Sequence, residues 1–184
     1  AIQAGEMVEN IEVYAFDSEV ACGPQGMFAI EAAKMAQRGA SAKEIMAKLE
    51  ELKATMNAYF IVDDLTHLQR GGRLSAASAL IGGLLQVKPI LHFVDKKIVP
   101  FEKIRTRKKA IRRVEELFKE AVQQYEKLQA VVIHANCEEE GRAWMEQLQK
   151  EFPTVDFKFS YFGPVIATHL GEGALALGWM KKED

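Results

Sequence analysis

The sequence predicts an α/β protein in which helices cover a mixed β-sheet. Short apolar runs of strand length alternate with longer segments whose apolar residues recur at helical spacing. Residues Val155–Tyr161 alternate apolar and polar side chains, as a half-solvated strand does. From Tyr59 onward the predicted order of elements is β-α-β-β-α-β-α-β-β, which is typical of a mixed sheet covered by helices.

The first predicted strand is Ile11–Phe16, which ends at Asp17 and Ser18. A single strand leaves its backbone groups unpaired and needs neighbours in a sheet. The chain starts without Met, at residues that resemble the middle of a helix. These residues lack the basic n-region and the apolar h-region of a signal peptide. We therefore expect the natural chain to begin upstream, and residues 1–57 to be part of an incomplete first domain.

Two helices are predicted after this strand. Pro24 is well placed in a first helical turn, and Gly39 is suited to end the helix. Ser41 and Glu44 have the spacing of a capping box, which opens a second helix that runs to about Thr55.

A second domain is predicted over residues 58–184. It begins with the strand Tyr59–Val62, a short turn and a helix capped by Ser75. The remaining predicted elements are a hairpin of Pro89–Val94 and Ile98–Phe101, a helix from about Thr106 to Lys127, a strand at Ala130–Ala135, a helix from about Glu138 to Glu151, the strand Val155–Tyr161 and, after a glycine-rich loop, a last strand near Ala174–Met180.

Composition excludes several classes of partner. The formal net charge of −2 gives no overall attraction to nucleic acid or acidic membranes. The apolar stretches are shorter than the roughly 20 residues of a spanning helix, so we expect no integral membrane segment. Cys22 and Cys137 lie far apart without a partner motif, which favours free thiols in a reducing cytoplasm over one disulfide. The four histidines, at positions 67, 92, 134 and 169, lack the spacing of metal ligands.

The segment from Asp63 to Ser75 contains a glycine pair, Gly71 and Gly72, before a predicted helix start. Glycines let the backbone approach a ligand closely, and helix N-termini attract anions. Arg73 could bind a carboxylate or a phosphate group beside these glycines. A tight turn in which Arg73 pairs with Asp63 or Asp64 explains the same residues equally well.

A second unusual segment, Gly163–Gly173, places Thr168 and His169 between glycines. A hydroxyl and an imidazole can together hold a carboxylate head group. The alternative is a histidine that is hydrogen-bonded to backbone in a packed loop.

The third segment, Lys103–Arg113, concentrates basic residues at a helix N-terminus, where the helix dipole disfavours positive charge. Arg105, Arg107 and Lys108 have no acidic residue at helical spacing to offset them. A solvated face is one interpretation, and a docking surface for an acidic protein or a phosphate group is the other. Nucleic acid is disfavoured because no aromatic residues are interleaved.

Taken together, these segments resemble the DegV family of fatty-acid-binding proteins. The resemblance rests on VDDLTHLQRGGRLSAASALIGGLLQVKPIL, VPFEKIRTRKKA and GPVIATHLGEGALALGW, with the upstream IEVYAFDSEVACGPQGMFAIEAAKMAQRG, and it covers essentially the whole chain. It implies a two-domain bacterial protein, of which residues 1–57 are the remnant of an N-terminal parallel-sheet domain and residues 58–184 are a mixed-sheet α/β domain.

The resemblance also implies a function. The family holds one long-chain fatty acid, such as palmitate, stearate or oleate, in a buried tunnel. It presents this acid to the ATP-binding subunit of a fatty acid kinase and performs no chemistry itself, so no cofactor is expected. Arg73, Thr168 and His169 match the family's head-group side, whereas its carboxylate-holding Ser and Thr motifs are absent here. Arg105, Arg107 and Lys108 match its basic segment and are the candidates for kinase contact.

Two positions depart from the family pattern, where Ala167 and Glu172 replace Gly and Pro. A carboxylate that faced the head group would repel it, so we expect Glu172 to face solvent. For the tunnel, the apolar run after the glycine pair supplies more hydrophobic side chains than one sheet face needs. The candidates for the lining, which compete with an ordinary core role, are Ile81, Leu84, Leu85, Ile90, Leu91 and Phe93.

The same residues fit two other functions. The chain could be an enzyme that acts on a carboxylated or phosphorylated metabolite, with Arg73 as a clamp and His169 as acid or base. It could also be a regulatory module that docks through its basic segment.

Overall fold

The centre of the molecule is a six-stranded mixed sheet with the strand order β3-β2-β1-β6-β4-β5. The computed structural model describes residues 1–63, 65–73 and 88–183. Only the β4–β5 pair is parallel among the described strands. The strands are β1 (Asn57–Ile61), β2 (Lys88–Val94), β3 (Lys97–Ile104), β4 (Leu128–His134), β5 (Asp156–Tyr161) and β6 (Leu175–Lys181).

Helices cover both faces of this sheet. Buried residues of α2 and α3 share one core cluster with Phe60 of β1, while α5 and α6 share the opposite cluster with Ile61. Successive strand residues point to opposite faces, so this division follows from neighbouring positions in β1. The helices are α1 (Ile2–Gly5), α2 (Cys22–Gln37), α3 (Ala42–Lys53), α4 (Thr66–Arg70), α5 (Arg107–Gln124), α6 (Glu138–Glu151) and α7 (Pro164–Leu170).

Local signals in the sequence set several of these boundaries. The predicted capping box is confirmed, since the Ser41 hydroxyl accepts from the Glu44 amide and the Glu44 carboxylate accepts from the Ser41 amide. Gly39 follows α2 with a φ of +86°, a conformation that glycine adopts at little cost. Thr106 caps α5 through the Lys109 amide. The predicted hairpin is confirmed as β2 and β3.

Two predictions of local structure are wrong. Residues Ile11–Phe16 form no strand, and Ile11 is 63% exposed. A strand requires a hydrogen-bonded neighbour, and none of the six strands described lies beside this segment. The predicted glycine-rich loop after β5 contains α7, whose first residue is Pro164. The predicted helix that Ser75 would cap lies outside the described residues.

Helices α2 and α3, which lie within the first 57 residues, pack against one face of the sheet. Met27 and Phe28 of α2 and Leu52 of α3 are almost completely buried, in the same cluster as Phe60 and Val62. These helices therefore complete the core on one face of the sheet. The division into domains of residues 1–57 and 58–184 stays a prediction. Within the described part of the chain, no helix is long and apolar enough to cross a bilayer.

Close packing of α2 on the sheet gives a testable prediction. A Cβ added at Gly23 would lie 2.6 Å from Cγ2 of the buried Val131, whereas one added at Gly26 would meet nothing within 4 Å. We expect Gly23→Ala to lower the free energy of unfolding by about 1–3 kcal/mol because it overpacks the core. We expect Gly26→Ala, the matched control, to raise it by about 0.5–1 kcal/mol through helix propensity. Urea denaturation measures both, and equal effects would contradict this packing.

Candidate functional site

An apolar cavity of about 310 Å³ lies between the first turn of α2, the adjacent sheet face, the β2–β3 hairpin and α7. Its volume falls within the range of roughly 300–1,000 Å³ that is typical of small-molecule sites. Most of its wall is hydrophobic. The apolar contributors include Pro24, Phe60, Phe93, Ile98, Phe162 and Ile166.

The register of the sheet places several of these side chains together. Phe60 of β1 lies opposite Leu91 of β2 and Ala176 of β6. All three belong to the core on the α2 side of the sheet. Phe60 and Ala176 line the cavity, and so does Phe93, two residues beyond Leu91 on the same face.

Arg73 and His169 both lie in the wall of this cavity, although they are far apart in sequence. Arg73 is exposed; its backbone amide donates to the Leu68 carbonyl, and its guanidinium has no hydrogen bond or ion pair to another described residue. The Nδ1 atom of His169 is buried and also lacks a partner in the described part of the chain. The cavity therefore combines apolar walls with a guanidinium and an imidazole that retain hydrogen-bonding capacity.

Two close glycine–histidine contacts hold these loops together. The His169 ring occupies the space that a Cβ at Gly71 would need, and the His67 ring lies 2.8 Å from the Cβ position of Gly171. The first glycine of the pair thus makes room for His169 beside α4. Gly171 has a φ of +80°, which disfavours any side chain there independently of space. Each of these glycines is accounted for by packing between α4 and α7.

The turn with an Arg73–Asp63 ion pair, considered above, is not present. The Asp63 carboxylate accepts from Lys88 Nζ at 2.8 Å and from Arg107 Nη1 at 3.3 Å. Asp64 lies outside the described residues. Arg73 is therefore not paired with Asp63.

Thr168 does not join Arg73 and His169. Its side chain is exposed, and its hydroxyl donates to the Pro164 carbonyl at 2.8 Å within α7. A threonine in a helix commonly satisfies its hydroxyl in this way. Glu172 is exposed and accepts from Asn136 Nδ2 at 2.8 Å, which confirms that it faces solvent.

The residues predicted to line the tunnel lie in different parts of the structure. Phe93 lies in the cavity wall. Leu91 is fully buried in the core on the same face, while Ile90 packs on the opposite face with Val114 of α5. The structure thus places Ile90 away from this cavity. Ile81, Leu84 and Leu85 lie outside the described residues, and their assignment stays a prediction.

The polar residues at the edge of the cavity were not predicted from the sequence. Lys96, at the tip of the β2–β3 hairpin, lines the wall together with Glu19. Lys96 Nζ lies 2.7 Å from Asp17 Oδ2 and 3.8 Å from Glu19 Oε1. The hairpin tip is thereby tied to the segment before α2. The hydrogen bond to Lys96 is the largest contribution that lowers the pKa of Asp17.

The basic segment divides into two kinds of residue. Arg105 and Lys108 are exposed, as a docking surface requires. Arg107 is only 21% exposed, and its guanidinium forms two hydrogen bonds to Glu140, at 2.7 and 2.9 Å. The acidic partners of Arg107 are Glu140 of α6 and Asp63 after β1, which are distant in sequence and not at helical spacing.

No group of residues that could hold a metal ion occurs among those the structure describes. Both cysteines are free thiols, partly buried. Burial raises the pKa of Cys22 and of Cys137. For Cys137 the effect of burial outweighs the positive charge of Arg107, which acts in the opposite direction. A raised pKa disfavours the thiolate, the nucleophilic form of cysteine.

Comparison with known proteins agrees with this description. Residues 1–182 match the family model described as "Uncharacterised protein, DegV family". The protein DegV of Bacillus subtilis is 58% identical over 99% of this chain and 65% of its own length. The chain spans slightly less than two thirds of the length of the curated relatives it matches.

Solved structures share the fold. The crystal structure of Bacillus subtilis DegV, described as a fatty acid binding protein, superposes with a TM-score of 0.91 at 57% identity, over 99% of this chain and 65% of that one. A stearic acid-binding protein from Eubacterium ventriosum superposes with a TM-score of 0.87 at 26% identity, over 98% and 64%. On the evidence of the family match and these relatives, the chain belongs to the DegV family.

Proposed function

We propose that this chain binds a long-chain fatty acid, with the acyl chain in the apolar cavity and the carboxylate directed toward Arg73 and His169. The observation that carries the proposal is the presence of both polar groups in the wall of one largely apolar cavity. The printed descriptions of the related structures, which name fatty acid and stearic acid, support the choice of ligand. Palmitate, stearate and oleate are the candidate acids.

The energetics favour such a ligand. Burial of an acyl chain stabilises a complex by about 0.8 kcal/mol per methylene group, so a long chain needs few polar contacts. A carboxylate matches the planar, two-pronged geometry of a guanidinium. The exposed Arg73 has that geometry available. A largely apolar wall that carries the cationic Arg73 therefore suits a fatty acid better than it suits a highly polar metabolite.

We propose further that the protein is a non-catalytic lipid carrier of the bacterial cytoplasm, which presents its fatty acid to the ATP-binding subunit of a fatty acid kinase. The two free thiols with raised pKa support a role without nucleophilic catalysis and suit a reducing compartment. The exposed Arg105 and Lys108 supply positive charge for an acidic partner surface.

The ligand proposal is tested on the natural full-length protein. Extraction of the purified protein with organic solvent, followed by mass spectrometry, should release a long-chain fatty acid in near-equimolar amount. After the lipid is removed, added palmitate should bind again, whereas methyl palmitate, which lacks the charged carboxylate, should bind more weakly. Absence of both a co-purified acid and palmitate binding would refute the proposal.

The docking proposal predicts a separate effect. The double variant Arg105→Glu, Lys108→Glu should weaken association with the kinase subunit by about 10-fold or more, because it reverses two charges at the contact. Lys119→Glu, a charge reversal at an exposed position of the same helix, is the control and should change the dissociation constant less than about 2-fold. Surface plasmon resonance at two salt concentrations measures this. An equal effect of both changes would remove the basic segment from the interface.

A further inference from the structure

Arg107, the first residue of α5, connects three separate parts of the molecule. Its Nε and Nη2 atoms donate to the two carboxylate oxygens of Glu140, in the first turn of α6. Nη2 also donates to the Gly173 carbonyl at 2.6 Å, and Nη1 donates to Asp63 Oδ1 at 3.3 Å. One guanidinium thus joins α6, the loop before β6 and the end of β1.

These contacts keep Arg107 charged while it is partly withdrawn from water. Burial opposes the charged form, but the hydrogen bonds and charge of Glu140, together with the charge of Asp63, outweigh it and raise the pKa of Arg107. Its neighbours Arg105 and Lys108 are exposed, whereas Arg107 is directed toward the interior contacts. Arg107 is thus structurally distinct from the rest of the basic segment.

Two partners of Arg107, Asp63 and Gly173, anchor the segments that lead to Arg73 and away from His169. Asp63 follows β1 and begins the connection that leads through α4 to Arg73. Gly173 ends the loop that follows α7 and His169, and its amide donates to the Ala135 carbonyl at 2.7 Å. The Asp63 Oδ2 atom lies 2.9 Å from the Cβ position of Gly173, so the two anchors are also in direct contact.

The distance between the Asp63 and Gly173 anchors affects where Arg73 and His169 lie in the cavity wall. The His169 ring fits against Gly71 without room for one further carbon atom. A small shift of the Asp63 connection relative to the α7–β6 loop would therefore displace the His169 ring or Arg73. A planar group with several donors can fix both anchors at once, whereas a single ammonium cannot reach the same acceptors in one arrangement.

We propose that Arg107 is a positioning residue of the head-group site, which holds the Asp63 and Gly173 loops in the register that brings Arg73 and His169 into one cavity wall. Arg107 is not among the described residues that line this cavity, so it acts through the loops and makes no contact with the ligand. The inference rests on the proposed function for the identity of the ligand. The loop geometry itself does not depend on it.

The test compares Arg107 variants with a matched arginine on the same helix. Arg107→Gln and Arg107→Lys should each raise the dissociation constant for palmitate by about 10-fold, because neither side chain can donate to Glu140, Asp63 and Gly173 at the same time. Arg113→Gln is the control, since Arg113 also pairs with two carboxylates, of Glu102 and Glu116, and lies away from the cavity. It should change palmitate affinity less than about 2-fold and lower Tm no more than the Arg107 variants do.

A spectroscopic measurement separates positioning from general destabilisation. The ring ¹H–¹³C resonances of His169, recorded on the lipid-free protein, should shift in both Arg107 variants and stay unchanged in Arg113→Gln. Glu140→Gln, which leaves the Asp63 and Gly173 contacts in place, should cost about 3-fold in affinity, and it keeps the test valid if the Arg107 variants fail to fold.

The outcomes are distinguishable. Unchanged His169 resonances in every folded variant, or equal losses of affinity in the Arg107 variants and Arg113→Gln, would overturn the positioning role. If the unaltered protein does not bind palmitate, the proposed function fails, while the His169 resonances still decide whether Arg107 sets the loop register.

Discussion

Replacement of Arg73 by alanine should weaken palmitate binding by about 10- to 100-fold while the protein stays folded. A hydrogen bond to a charged group contributes roughly 1.5–3 kcal/mol, and every 1.4 kcal/mol changes a dissociation constant tenfold. The Arg73 side chain is exposed and lacks partners elsewhere in the described structure, so its removal should leave Tm nearly unchanged. Isothermal titration calorimetry of the lipid-free protein measures the effect.

Arg70 provides the matched control for this experiment. It is an exposed arginine three positions earlier, at the end of α4, and is not among the described residues of the cavity wall. Arg70→Ala should change affinity less than about 2-fold. If both substitutions had the same effect, the contribution of Arg73 would be general electrostatic attraction and not contact with the carboxylate.

Filling the cavity should have an effect at least as large. Ile166 is half-buried on α7 and lines the wall. Ile166→Trp would place an indole in the space proposed for the acyl chain. Exclusion of about four methylene groups removes about 3 kcal/mol of binding free energy, which corresponds to a loss of affinity of more than 100-fold. Competition with a fluorescent fatty acid measures this loss.

The neighbouring residue supplies the control for cavity filling. Val165 is 75% exposed and is absent from the described lining, so Val165→Trp adds the same side chain on the outer side of α7. We expect affinity within about 2-fold of the unaltered protein. Normal palmitate affinity in Ile166→Trp, with the fold retained, would show that the acyl chain lies elsewhere.

The parts of the fold that the sequence predicted depend on short-range signals. The capping box at Ser41, the glycine that ends α2 and the β2–β3 hairpin each depend on a few neighbouring residues. The prediction of a strand at Ile11–Phe16 was wrong because strand formation requires a partner segment, and local composition does not show whether one is present. The signal for α7 was available, since Pro164 after Gly163 is a favourable helix start.

The candidate site was predictable in part for a similar reason. Arg73 and His169 were identified through short motifs, and the structure brings both into one wall. Ile90 was predicted on the cavity side because β2 is apolar on both faces. Its sequence has no apolar–polar alternation to show that Ile90 and Leu91 belong to opposite faces. The Arg107–Glu140 pair and the position of Lys96 result from contacts between elements distant in sequence, which single-sequence patterns do not encode.

A crystal structure of the natural full-length protein with palmitate bound tests the central claim most directly. We expect the acyl chain to occupy the cavity between α2, the sheet and α7, with a carboxylate oxygen about 2.7–3.2 Å from the Arg73 guanidinium and within hydrogen-bonding reach of His169. A carboxylate bound away from both side chains, or an acyl chain outside this cavity, would contradict it.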